Sequence, residues 1–145
     1  MKSIYYLIFI LMFTSCSLKI QPIEYGIDNC EFCKMGIVDN KHASQIVTLK
    51  GKNYKFDAIE CMISYIKKDK NDINSYAHIL VCNLENPGEL INANSASFII
   101  SKNIPSPMGA FLSATKSQTF SQKIIEQYTG EQYTFEQLIE KLTNQ

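Results

Sequence analysis

Three sulfur-containing side chains occur within six positions of the sequence, in the segment NCEFCKMGIVDN that covers residues 29–40. Cys30 and Cys33 form a C-x-x-C pair, and Met35 follows two positions later. This spacing suits four kinds of chemistry: a redox-active pair, a zinc site, a disulfide or a site for a soft metal ion. The residues around the pair and the other sulfur side chains have to distinguish these possibilities.

The surroundings of the C-x-x-C pair disfavour a redox enzyme and a regular zinc site. A thioredoxin-type pair lies where a strand leads into a helix, because the helix amino terminus lowers the pKa of the first thiol. No strand is predicted before Cys30, and Gly36 makes a helix after it unfavourable. A tetrahedral zinc site needs four ligands, and the remaining candidates show no paired spacing: Cys61, Cys82, His42 and His78. A disulfide between Cys30 and Cys33, or from either to Cys61, stays open.

Cys61 favours a site for a soft metal. It lies in the first turn of a predicted helix, on the side away from the apolar stripe, where the helix dipole favours the thiolate. Met35 and Met108 each precede a glycine and lie outside any apolar stripe. Thiolate and thioether ligands together select a soft ion such as Cu(I). Cys82 is predicted to be a buried strand residue, and the two histidines are expected to be surface or core residues.

Two similar units are predicted to position these residues. Residues 43–56 (ASQIVTLKGKNYKF) alternate between apolar and polar and are interrupted by a turn, which predicts a hairpin. A helix follows, with Asp57 and Glu60 as a capping box and an apolar stripe made of Ile59, Met62, Ile63 and Ile66. A third strand is predicted over Tyr76–Leu84, closed by a turn at residues 86–88.

The pattern of strand, turn, strand and helix then recurs. Residues 96–101 (ASFIIS) resemble residues 43–48 (ASQIVT), and residues 108–114 are predicted to form the returning strand. The following helix has Phe120, Ile124 and Tyr128 on one side, and a last helix begins with a capping box formed by Thr134 and Gln137. The fold class is therefore predicted as α+β, with two small ββα-type repeat units of antiparallel strands.

The amino-terminal residues predict export and lipidation. The apolar run IYYLIFILMF (residues 4–13) is shorter than the ~20 residues of a membrane-spanning helix and fits a secretory signal. It ends in FTSC, which resembles the lipobox of bacterial lipoproteins, so Cys16 is the predicted lipidation site. The predicted organisation is a signal peptide (1–15), a lipidated tether (16–29) and one domain (30–145). We expect the domain to be anchored to a bacterial membrane and to face the periplasm.

The composition excludes other function classes. The chain has 14 basic and 14 acidic residues, and every basic residue is lysine. Arginine carries much base and phosphate recognition, so no nucleic-acid partner is predicted. The sequence shows no pair of poised carboxylates and no nucleophile–base pair, so we do not predict an enzyme.

Three motifs in order resemble the NosL family of nitrous-oxide-reductase accessory lipoproteins. They read CEFCKMGI (30–37), GKNYKFDAIECMISYI (51–66) and SPMGAFLSA (106–114), and the likeness extends to about residue 142. It implies a membrane-anchored Cu(I) metallochaperone that delivers copper to nitrous oxide reductase through its maturation machinery. It also implies a fold related to the metal-binding part of organomercurial lyase. The alternatives are a periplasmic thiol-disulfide oxidoreductase that uses the C-x-x-C, or a structural zinc-binding lipoprotein.

The sequence-based hypothesis for the Cu(I) ligands begins with Cys61 and Met108. Cys33 and Met35 come next and Cys30 last, since many members of the NosL family have one cysteine in the first motif. If the two units pack side by side, Cys61 in the first helix and Met108 in the second unit can converge. The C-x-x-C-x-M loop would then lie over them as a lid.

Overall fold

The computed structural model describes residues 18–69 and 73–143. The predicted signal peptide and Cys16 lie outside the described residues. The strands are β1 (Ser44–Thr48), β2 (Asn53–Phe56), β3 (Tyr76–Asn83), β4 (Asn86–Asn92), β5 (Ser97–Ile100), β6 (Leu112–Thr115) and β7 (Glu131–Tyr133). The helices are α1 (Ile59–Asp69), α2 (Gln118–Tyr128) and α3 (Phe135–Thr143), with single 3-10 turns at Ile73–Ser75 and Ala93–Ser95.

The strands form two antiparallel sheets that confirm the predicted α+β class and its repeat. One sheet has the order β2-β1-β3-β4 and the other has the order β6-β5-β7. Each of the two predicted hairpins pairs in register, with Ile46 opposite Tyr54 in the first and Phe98 opposite Ala114 in the second. A helix follows each hairpin, so β1-β2-α1 and β5-β6-α2 are the two ββα units.

One hydrophobic core joins the two sheets. The stripe predicted on α1 is buried, with Ile59 and Met62 fully enclosed. The rings of Phe98 on β5 and Phe135 on α3 stack with their centroids 5.7 Å apart. Enclosing a side chain of this size stabilises the fold by ~1.5–3 kcal/mol relative to leaving it exposed. The core therefore holds α1, and with it Cys61, in a fixed position.

Three local predictions differ from the structure. The returning strand predicted over residues 108–114 begins only at Leu112, because residues 106–109 form a turn. Residues 86–88 do not end the sheet, because they begin strand β4 at its edge. An edge strand accepts Pro87, because such a strand is paired on one side only. The carboxylate of Glu60 accepts a hydrogen bond from Ser106 instead of returning to Asp57. The capping box of α3 is confirmed, with Thr134 N donating to Gln137 Oε1 at 2.9 Å.

The segment before the C-x-x-C motif packs against the first sheet. Ile23 is buried in the core, and the Tyr25 hydroxyl lies 3.3 Å from the Cys82 sulfur. The backbone N–H of Gln21 donates to Asn53 Oδ1 at 3.0 Å. Across the described ranges, no helix combines the length and apolar character required to cross a membrane.

Candidate metal centre

Four potential metal ligands converge where α1 begins. One ligand atom each from Cys30, Cys33, Asp57 and Cys61 lies within 4.8 Å of the other three, and we call these residues the thiol cluster. Cys30 is 0% exposed and Cys61 is 1% exposed, whereas Cys33 is partly exposed. All three thiols are free. The cluster therefore has two enclosed sulfur atoms and one at the surface, through which an ion can enter or leave.

The C-x-x-C segment is a tight loop whose backbone is fixed by hydrogen bonds. Cys30 N donates to Met35 O at 2.7 Å, and Lys34 N donates to Cys30 O at 3.0 Å. Lys34 has a positive φ of 66°, which lets the chain reverse between the second cysteine and Met35. Glu31 N donates to Lys55 O at 2.8 Å, which fastens the loop to strand β2. The loop is thus held over the first turn of α1.

Asp57 and Cys61 enter the cluster from the other side. Asp57 lies in the two-residue link between β2 and α1, and Cys61 is the third residue of α1. Cys61 does lie off the apolar stripe of α1, as the helical wheel predicts, but the side chain is not exposed. It is buried against the C-x-x-C loop. Asp57 is the residue that sequence reasoning missed, because the motif D-x-x-E has the form of a helix cap. Its carboxylate instead accepts a hydrogen bond from Cys33, whose sulfur lies 3.5 Å from Asp57 Oδ1.

The hydrogen bonds of the cluster concentrate negative charge on one sulfur. The S–H group of Cys61 donates to the Cys30 sulfur and lowers the pKa of Cys30 to about 6, against the opposing effect of burial. The backbone N–H groups of Cys33 and Asp57 lower it further. The expectation that Cys61 is the favoured thiolate is therefore wrong. Its bond to Cys30, together with burial and nearby Asp57, raises the pKa of Cys61.

Cys33 keeps its proton more strongly than a free thiol does. Burial raises the pKa of Cys33, and the neighbouring Cys30 and Asp57 raise it further by their negative charge. The hydrogen bonds of the cluster therefore favour the thiolate at Cys30 over a thiolate at Cys33 or Cys61. Because metals bind thiolates, loading an ion has to release the remaining thiol protons.

The two methionines lie outside this enclosed group, at the surface. Met35 is 50% exposed and Met108 is 42% exposed. The backbone carbonyl of Met35 closes the C-x-x-C loop by accepting from Cys30 N at 2.7 Å. Met108 belongs to a turn of the second unit whose first residue, Ser106, donates to Glu60 next to Cys61. The second unit therefore reaches the first turn of α1 through Ser106, whereas convergence of Met108 with Cys61 stays a prediction.

Cys82 and the histidines have structural surroundings. Cys82 is fully buried on β3 against Tyr25, as predicted, and it takes no part in the thiol cluster. His42 is buried with Nδ1 at 2.9 Å from Asp39 Oδ2 and Nε2 at 3.1 Å from Ser113 Oγ. These are the residue types of a hydrolase triad, but Ser113 has no exposed surface that a substrate can reach. The chain of hydrogen bonds instead joins the two units.

The donor set of the cluster restricts the ions it can hold. Three sulfur atoms favour soft or borderline ions over Mg²⁺ or Ca²⁺. A tetrahedral ion with ~2.3 Å metal–sulfur bonds separates its ligands by roughly 3.8 Å. The spacing of up to 4.8 Å is close enough for small rotamer changes to bring all four ligand atoms onto one ion. Cu(I) and Zn²⁺ both fit this chemistry.

Comparisons with known proteins agree with this site and fold. The NosL family model matches residues 25–143. The crystal structure of the copper chaperone NosL from Shewanella denitrificans matches with a TM-score of 0.71 at 20% identity, over 83% of this chain and 95% of that chain. The curated proteins yielded no match. The structural likeness confirms the α+β fold, and the family match spans nearly the whole domain. The chain belongs to the NosL family.

Proposed function

We propose that this protein is a Cu(I) metallochaperone and not an enzyme. The observation that carries the proposal is the convergence of three free thiols and one carboxylate at the start of α1, with only one sulfur at the surface. Thiolates favour soft ions such as Cu(I), and a partly open site allows the ion to be passed on. The solved relative with the same fold is a copper chaperone, which supports this choice.

The ligand hypothesis changes for Cys30, which joins the main ligands, and for Met108, which becomes an exchangeable ligand. Sequence reasoning places Cys30 last, but its sulfur accepts a hydrogen bond from Cys61 and its pKa is lowered, whereas the pKa values of Cys33 and Cys61 are raised. We propose that Cys30, Cys33 and Cys61 bind the ion. Met108 and Met35 supply exchangeable thioether ligands from the surface. Enclosed thiolates give affinity, and exposed thioethers can leave first when a recipient presents its own ligands.

We further propose that copper passes to nitrous oxide reductase through its maturation machinery, as the family resemblance implies. The domain would act from a lipid anchor on Cys16, facing the periplasm, because the lipobox-like FTSC ends an apolar run of secretory type. A radiolabelled fatty acid should mark the wild-type chain and not Cys16→Ser. Recovery of most wild-type protein in the soluble periplasmic fraction would contradict the anchor.

Competition for Cu(I) against a chromogenic chelator tests the proposed site. Cys61→Ser should lower the Cu(I) affinity by more than the ~10–100-fold typical of losing an outer partner of a metal ligand. Cys82→Ser is the matched control, because Cys82 is equally buried but lies outside the cluster. In cells, Cys61→Ser should also fail to mature the copper enzyme. Equal Cu(I) affinity in wild type and Cys61→Ser would show that the site lies elsewhere.

A structural zinc site is the second candidate, favoured by the fourth donor that Asp57 adds. The chaperone and zinc-site hypotheses differ in whether the ion stabilises the fold, because structural zinc sites supply folding free energy. The buried stripes of α1 and α3 pack without any ion, so we expect the apo-protein to stay folded. Loss of the far-UV circular dichroism signal on adding a chelator would support zinc. A thiol-disulfide oxidoreductase is disfavoured, because the thiol with the lowered pKa, Cys30, is fully buried, whereas the accessible thiol, Cys33, has a raised pKa.

A further inference from the structure

A buried acidic residue with an incomplete set of hydrogen bonds lies beside the thiol cluster. Glu60 is 8% exposed, and Ser106, at 9%, donates its hydroxyl to Glu60 Oε1. Glu60 Oε2 has no hydrogen-bond partner among the described residues. Burying a carboxylate is unfavourable unless it is well paired. A role other than stabilising α1 therefore explains the position of Glu60 better.

We propose that Glu60 is a positioning residue that holds Met108 at the metal site. The proposal rests on the proposed function, in which Met108 is an exchangeable Cu(I) ligand. Glu60 precedes Cys61 on α1, and Ser106 precedes Met108 by two positions in the loop between β5 and β6. The bond between Glu60 and Ser106 therefore connects the helix that carries a thiol ligand to the loop that carries the thioether.

The contact between Glu60 and Ser106 fixes the turn that contains Met108. Gly109 N donates to Ser106 O at 3.0 Å, so residues 106–109 form a closed turn, and the chain leaves it at Gly109 with a positive φ of 75°. Met108 is a central residue of this turn, whose first and last Cα atoms lie within about 7 Å of each other. The turn is thus fixed to α1 at its first residue, while the Met108 side chain stays free to move.

The other end of the same loop is held by a different helix, α2. Asn103 Nδ2 donates to Tyr128 O at 2.8 Å, at the end of α2. This bond restrains the loop without touching α1. It therefore provides a control that separates a general loosening of the loop from the loss of the contact with Glu60.

A double-mutant cycle on Cu(I) affinity tests the proposal. Ser106→Ala should lower the affinity as much as Met108→Leu does, by about 10- to 100-fold. The double variant should bind no more weakly than either single variant. Ser106→Thr keeps the hydroxyl and Glu60→Gln keeps the acceptor oxygen, so both should bind like wild type. Asn103→Ala should also keep the wild-type affinity.

The methyl resonance of Met108 gives a readout that stability alone does not move. On adding Cu(I) without oxygen, the ¹³C-methyl signal of Met108 should shift in wild type and in Asn103→Ala, but not in Ser106→Ala. Additive effects of the two substitutions, or a shifted signal in Ser106→Ala, would overturn the positioning role while Cys61-dependent binding stands. A Met108→Leu variant with wild-type affinity would overturn it too. If wild type itself fails to bind Cu(I), the proposed function fails with it.

Discussion

The two ββα units have the same spacing between their second strand and their helix, but they use it differently. In both, two residues link the second strand to the helix: Asp57 and Ala58 in the first unit, Lys116 and Ser117 in the second. The third residue of each helix is the metal-site candidate Cys61 in one unit and an apolar phenylalanine in the other. One architecture therefore carries the thiol cluster on one copy only.

The residue that precedes each helix shows how the metal site reduces the local stability of the first helical turn. In the second unit the Ser117 side chain accepts from Phe120 N at 3.2 Å, which satisfies a free N–H of the first turn. In the first unit Ala58 holds this place and has no side-chain acceptor. Asp57 has a carboxylate that can cap, but it faces the thiols. At the start of α1, Asp57 therefore serves the metal site instead of capping the helix. The core contacts of α1 compensate for the missing cap.

Removing the charge of Asp57 should affect the protein more than removing the helix cap of the second unit. Asp57→Asn keeps the size and an acceptor for the Cys33 thiol but removes the carboxylate. For Cu(I), which prefers sulfur, we expect a loss of about 10- to 100-fold in affinity, typical of an outer partner. For Zn²⁺, whose tetrahedron would use the carboxylate directly, the loss should be larger. Chelator competition with each ion measures the difference.

Asp28→Asn is the matched control for this experiment. Asp28 also lies close to the C-x-x-C loop, but its carboxylate pairs with Lys55 at 2.6 Å and takes no part in the cluster. Its replacement should change stability and leave the affinity for both ions unaltered. Equal losses of Cu(I) affinity in Asp57→Asn and Asp28→Asn would mean that the effect comes from loosening the loop.

The periodic parts of this fold can be predicted from the sequence, because each repeats a local rule. The apolar stripe of α1 and the two hairpins follow from spacing alone. The capping box at Thr134 is equally local, since both partners lie within one helical turn. These elements are sufficient to place Cys61 at the start of a helix.

The metal site is harder to predict, because its members come from segments that meet only in three dimensions. Cys30 lies 31 positions before Cys61, and no local pattern shows that the loop covers the helix. Because the C-x-x-C loop covers the start of α1, the thiol that is expected to ionise also changes. A helix dipole alone favours a Cys61 thiolate, whereas the neighbouring Cys30 and Asp57 stabilise its protonated form. Glu60 is a similar case, since its partner Ser106 lies in the other unit.

Removing the cap of the second unit should have the smaller effect, and it should appear in stability alone. Ser117→Ala takes away the acceptor for Phe120 N and should reduce the free energy of unfolding by ~1 kcal/mol. In a domain of this size that corresponds to a decrease of a few degrees in Tm. Cu(I) affinity should stay at the wild-type value, because Ser117 caps the helix of the second unit, whereas the residues of the thiol cluster lie at the start of α1 and in the C-x-x-C loop. Denaturant unfolding and chelator competition on the same sample measure both quantities.

Ser117→Asp completes the comparison, because aspartate caps helices as well as serine does. This variant should have near wild-type stability, which attributes the loss in Ser117→Ala to the cap and not to a surface change. If Ser117→Ala weakens Cu(I) binding as much as Asp57→Asn does, the two units are energetically coupled and the division of roles between them is wrong. If only stability changes, the second unit serves the metal site as a scaffold, and its direct contribution is limited to the loop that carries Met108.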